Sequence, residues 1–175
     1  MSIYKSASLT LYNKENGFLL ANEYRYREKK NLYHPIGGKV ENFDKDLFFT
    51  SIREFIEETS LLKHTIINKR NISMENFCLD IYNLLDKYKE FFDICVNKNL
   101  KYFHRYYIIN LDNIEDLNLK KNLINLPKFF NNKFKTELNY IFWYKKNYKI
   151  YNKSSWLLKI LINKKIYKDF YRIKK

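Results

Sequence analysis

The chain has few of the residues that break or staple a backbone. Its 175 residues include three glycines, two prolines and two cysteines. So little glycine and proline excludes a collagen-like repeat and a flexible low-complexity linker. Cys78 and Cys95 are too few for a disulfide framework and lack metal-ligand spacing, so buried thiols in a reducing compartment are expected. There is no apolar run of about eighteen residues, which argues against a membrane-spanning helix. The first residues, MSIYKSASL, lack the apolar core of a signal peptide. A cytoplasmic protein with no membrane partner is therefore the expectation. Acidic residues are also scarce, 19 against 33 Lys and Arg, for a net charge of +14.

What is present fits one folded domain over residues 1–175. Hydrophobic residues make up 46%, enough for a core in a chain of this length. The positive surplus, strongest after residue 100, attracts polyanions such as nucleic acid or polyphosphate. Lys, Asn, Ile, Tyr and Phe are all plentiful, the signature of an AT-rich genome and a hint of a viral or parasite source. That bias accounts for many lysines, but not for the shortage of acids.

Periodicity gives the elements. Residues 2–12 alternate apolar and polar positions and read as a strand, Asn13–Gly17 reads as a turn, and residues 18–26 read as a second strand that completes a hairpin. Residues 45–60 read as an amphipathic helix, with Phe48, Ile52, Phe55 and Thr59 facing inward and Asp44 or Asp46 capping it. Residues 74–96 have helical periodicity and are expected to form a helical insertion over about 74–97. Strands are expected at 102–111 and 135–144, and a C-terminal helix at 154–171 capped by Ser154 or Ser155. This order implies an α/β/α sandwich around a mixed sheet.

The most informative stretch is Arg53-Glu54-Phe55-Ile56-Glu57-Glu58. Glu54, Glu57 and Glu58 stand at i, i+3 and i+4, on one face of a helix. Three gathered carboxylates repel unless a cation sits among them, and hard divalent cations prefer such oxygens. Gly37-Gly38 lies upstream and suggests a tight bend where backbone approaches a metal or phosphate. A charged, solvated helix face would give the same triplet.

Together these residues resemble the box of the Nudix hydrolases, G-x5-E-x7-R-E-U-x-E-E-x-G-U, with U a bulky aliphatic residue. Arg53, Glu54, Phe55, Glu57, Glu58 and Leu61 fall on its second half, and Gly37, Gly38, Lys39, Val40 and Glu41 match a common G-G-K-V-E entry. Phe55 stands where an aliphatic residue is usual and Ser60 where glycine is. The loop is at least one residue longer than the pattern, so Asp44 is taken as the counterpart of its first acid. The resemblance implies a Nudix-type fold and hydrolysis of a nucleoside diphosphate linked to another group, with Mg²⁺ or Mn²⁺. It further implies that Glu54, Glu57 and Glu58, with the Gly38 carbonyl, hold metal, and that Arg53 orients the glutamates by ion pairing. Glu137, in a late E-L-N-Y-I-F-W segment ending at Trp143, is a candidate base or an ordinary strand-edge acid. Arg25 and Arg27 are candidate phosphate contacts or solvated charges, and Gly37, Gly38 and Lys39 join them on the substrate side. His34 reads as a turn residue. Tyr33, Phe43, Tyr102, Tyr106 and Trp143 are candidate base-stacking rings. The expected substrate is capped RNA, cleaved to m7GDP as in viral decapping members of the family. The alternatives are a small nucleotide such as ADP-ribose or a dinucleoside polyphosphate, or an inactive RNA-binding domain.

Overall fold

The computed structural model describes residues 3–26, 28–59, 72–97, 102–130, 138–145, 154–155 and 158–159. Strands β1 (Ile3–Asn13) and β2 (Gly17–Arg25) form the expected hairpin. Its turn is closed by the Asn13 side chain, which accepts the backbone N–H groups of Glu15 and Asn16 at 3.2 Å. Gly17 supplies the positive φ of 88° that the turn requires.

The hairpin strands pair only at the turn end, Tyr12 with Phe18 and Asn13 with Gly17. Beyond that they diverge, and β3 (Lys30–His34) and β4 (Ile36–Lys39) fill the gap. β3 pairs antiparallel with β2, and β4 antiparallel with β1. On the far side of β1 lie β6 (Tyr102–Asn110), parallel to it, and then β5 (Lys89–Asn97), antiparallel to β6. β7 (Leu138–Tyr144) flanks β2. The result is a seven-stranded mixed sheet with two wings, β7–β2–β3 and β4–β1–β6–β5.

Alternation along β1 decides the layers. Ala7, Leu9 and Leu11 join a core shared with helices α1 (Leu47–Thr59), α2 (Met74–Leu85) and α3 (Leu117–Ile124), and with Leu126 of the short α4 (Leu126–Phe129). Tyr12 belongs to a second cluster with Phe18, Leu20, Tyr106, Ile108 and Leu158 on the opposite face. The architecture is therefore α/β, with helices against a mixed sheet, as the pattern predicted. In α1, Phe48, Ile52, Phe55 and Thr59 are all buried, each large apolar ring or chain worth about 1.5–3 kcal/mol. Asp46 is the cap: its carboxylate accepts the Phe49 N–H at 2.8 Å.

Residues 74–97 are only half helix. The helix ends at Leu85, a 3₁₀ turn follows at Asp86–Tyr88, and residues 89–97 are strand β5 rather than the expected continuation. In Lys89–Val96 the apolar residues Phe91, Phe92, Ile94, Cys95 and Val96 fit a helical spacing at 91, 94 and 95 and a strand spacing at 92, 94 and 96, and pairing along β6 decides for the strand. Strands β3 and β4 and helix α3 were not foreseen. For the C-terminal helix, Ser155 is the cap, with its carbonyl accepting the Lys159 N–H at 2.9 Å and its hydroxyl the Leu158 N–H at 3.3 Å. The remainder of the expected helix lies outside the described residues. Among the described residues no helix is long and apolar enough to cross a membrane.

Candidate functional site

β4 and α1 bring the box residues together. Gly37 and Gly38 pair with Ser8 and Ala7 across the β1–β4 ladder. They do not form the expected bend, since neither has positive φ; what they provide is room. A Cβ on Gly38 would lie 2.3 Å from the Glu54 carboxyl carbon, and one on Gly37 would lie 2.3 Å from the Ala7 carbonyl oxygen. Glycine at 38 therefore lets the Glu54 carboxylate sit directly on the strand.

Arg53 organises the rest. Its Nε and Nη2 grip the two oxygens of Asp44 at 2.9 and 3.0 Å. Nη2 also donates to the Lys39 carbonyl at 3.0 Å. Nη1 donates to Glu54 Oε1 and Glu57 Oε2, both at 3.0 Å. All five N–H donors of the guanidinium are thus used. The Asp44 side chain is 0% exposed and Arg53 is nearly so. Asp44 also receives the Thr50 hydroxyl at 2.9 Å and the Glu41 N–H at 2.9 Å, which pins the turn between β4 and α1. The ring of Phe43, 70% exposed, lies over the guanidinium at 5.4 Å.

The electrostatics follow from this packing. Burial pushes the Asp44 carboxyl up, but hydrogen bonds from Arg53, the Glu41 backbone and Thr50 outweigh it and hold the group below its ordinary value. Burial likewise opposes the Arg53 charge and is outweighed by Asp44, Glu54 and Glu57, so the guanidinium stays charged. For Glu54 the balance reverses: burial lifts the carboxyl above its ordinary value and Arg53 offsets only part of the rise.

The expected repulsion among the glutamates is therefore relieved, at least for Glu54 and Glu57, by a cation of the chain itself. Arg53 ion-pairs with both. It takes one oxygen from each and leaves Glu54 Oε2 and Glu57 Oε1 clear of it. Glu58 follows on α1 and is half-buried. Among the described residues no three His, Cys, Asp or Glu side chains are already gathered into a metal cage. The donor chemistry nonetheless suits a hard cation, because the oxygens Arg53 leaves clear are carboxylates and the Gly38 cradle seats one of them.

Other predicted residues fall elsewhere. Arg25 ion-pairs with Glu23 at 2.8 Å, and the same carboxylate lies 3.0 Å from His34 Nε2. His34 is buried and donates from Nδ1 to the Pro35 carbonyl at 2.7 Å, so it is an internal link rather than a turn residue. Lys39 contributes its carbonyl, while the residue itself is exposed. Trp143 is half-buried and donates its indole N–H to the Ile124 carbonyl at 2.9 Å. Tyr106 is fully buried, so its ring is not available for stacking. Tyr102 is half-buried beneath Lys5. Glu137 and Arg27 lie outside the described residues. Sequence reasoning missed Thr50 as a partner of Asp44; a lone threonine inside a helix carries no signal for that role.

No family model and no curated protein sequence matches the chain. Among solved structures it is similar to the crystal structure of a C. elegans Ap4A hydrolase binary complex, at 20% identity and a TM-score of 0.34. The likeness covers 62% of this chain and 66% of that one, so the chain spans just under two thirds of that enzyme. A likeness this weak carries no argument about fold or activity.

Proposed function

We propose that the chain is a Nudix-type hydrolase that cleaves a nucleoside diphosphate linkage with Mg²⁺ or Mn²⁺. The observation that supports it is the Arg53 joint, which presents Glu54 and Glu57 side by side with one oxygen of each still to spare. Glu54, Glu57 and Glu58 would hold the ion. A bound divalent ion neutralises the diphosphate and lowers the pKa of water. The chain's own residues do the positioning. Gly38 admits the Glu54 carboxylate to the strand, Arg53 fixes its direction, and Asp44 fixes Arg53. Positioning of this kind supplies much of the rate in phosphoryl chemistry.

Capped RNA is the substrate we favour. Hydrolysis between the α and β phosphates of the cap would add water and yield m7GDP and a 5′-monophosphate RNA. The net charge of +14 supports a polyanionic substrate over a small nucleotide. The test is release of m7GDP from cap-labelled RNA by the purified protein with Mg²⁺ or Mn²⁺, beside ADP-ribose and a dinucleoside polyphosphate. Release from capped RNA is expected. Rapid cleavage of the small substrates with capped RNA intact would shift the reading to a small-nucleotide pyrophosphatase. Glu57→Gln should lower turnover by roughly 100-fold or more and weaken Mn²⁺ binding measured by calorimetry. Wild-type turnover and Mn²⁺ affinity in that variant would remove Glu57 from the site.

A further inference from the structure

We infer that the β7–β2–β3 wing, on the face away from α1, is a stacking platform for single-stranded RNA. The inference takes from the proposed function only that the substrate is an RNA. Three tyrosines among the described residues are exposed: Tyr24 at 40%, Tyr26 at 84% and Tyr140 at 44%. All three lie on this wing or at its end. The other exposed rings among the described residues, Phe43 and Phe91, are phenylalanines.

Register gives the layout. Tyr140, Asn22 and Tyr33 form one rung across β7, β2 and β3. The Tyr140 hydroxyl reaches the Tyr33 hydroxyl at 3.3 Å. Tyr33 and Phe142 meet edge to face at 5.1 Å, which roots the rung in the second core cluster. One rung outward, Tyr24 pairs with Asn31. The β7 irregularity between Asn22 and Glu23 turns Asn139 onto the same face, where its side-chain nitrogen donates to both Asn22 and Asn31 at 3.0 Å. Tyr26 then meets Tyr24 edge to face at 5.1 Å.

The stripe therefore runs outward from the core as Tyr140 and Tyr33, then three linked amides beside Tyr24, then Tyr26. Rings supply π-faces that accept any base, and side-chain amides supply donors and acceptors for base edges. An apolar protein partner would leave the amide cluster poorly matched, whereas an unpaired base satisfies ring and amide together. The positive net charge suits the phosphates of the same strand. Duplex RNA hides its base faces and cannot stack here.

The test is fluorescence anisotropy of a short, uncapped, labelled single-stranded RNA, with no divalent ion present. Removing the ion makes the result independent of hydrolysis. Tyr24→Ala with Tyr140→Ala should weaken binding tenfold or more, while Tyr24→Phe with Tyr140→Phe should stay near wild type. Phe91→Ala, which removes an exposed ring from the other wing, should have no effect. Circular dichroism melts of each variant separate a lost surface from a lost fold. The surface is overturned if the wild type does not bind, if the folded alanine pair binds as the wild type does, or if duplex RNA competes as well as single strands. If m7GDP release fails while these results hold, the platform stands and the decapping reading falls.

Discussion

Arg53 and Asp44 form a joint in which almost nothing is left to water. The guanidinium meets both Asp44 oxygens, two glutamates and a carbonyl, and Asp44 receives two further donors. Removing one partner of such a buried pair costs about 3–5 kcal/mol, because the other charge is left without its match. Asp44→Asn keeps the shape and removes the charge. It should therefore lower the melting temperature by about 10 °C, at about 2–4 °C per kcal/mol for a chain of this size. The pH dependence has a definite sign. The Asp44 carboxyl is held below its ordinary value of 3.8 in the folded chain. The stability it contributes is fully present above that value and is lost as pH falls through the lower folded one. Acid unfolding of the wild type should be steeper below about pH 4 than that of Asp44→Asn. Identical acid limbs in a urea titration would contradict this. The glutamate spacing and the neighbouring arginine were legible in the sequence because one helical turn relates them. The rest of the joint was not, because Asp44 stands nine residues before Arg53 and reaches it only through the turn out of β4.

Two helices share one acidic cap. Asp46 Oδ1 accepts the Phe49 N–H at the start of α1, while Oδ2 accepts the Tyr82 hydroxyl of α2 at 2.7 Å. The cap that starts the carboxylate-bearing helix thus also fastens α2 to it. Asp46→Ala should destabilise the fold by about 1–2 kcal/mol through the lost cap, and by up to about 1 kcal/mol more through Tyr82. Tyr82→Phe should show the second part alone. Urea titrations of both variants check this; wild-type stability in Tyr82→Phe would mean that α2 takes nothing from the cap. The cap was readable from an aspartate just ahead of an apolar stripe, as was α1 itself. The limit of such reading is β5. Helical periodicity over 74–85 is genuine, but from Lys89 the same apolar density serves an outer strand whose inward residues are Phe92 and Ile94. Only the partner strand β6, placed by its parallel run along β1, distinguishes the two. β4 was missed for a related reason. A four-residue strand built on two glycines reads as a turn until β1 is set beside it.

Across the whole molecule, the positive surplus and the exposed tyrosines make different demands on one ligand. Net charge was readable from composition, but composition said nothing of where rings stay exposed, because that depends on which of the two wings each strand joins. Charge acts on phosphates over a Debye length and is screened by salt, whereas stacked rings are hardly affected by it. The two contributions can therefore be separated in one experiment. Affinity for single-stranded RNA should fall linearly with salt on a double-logarithmic plot, with a slope of about −3 if about four phosphates are neutralised. Tyr24→Ala with Tyr140→Ala should shift that line downward and leave its slope unchanged, because the variant removes stacking and no charge. A line that changes slope instead would mean that the tyrosines act only by setting where the phosphates lie. A flat line for the wild type would mean that the charge of +14 is a compositional accident with no part in binding.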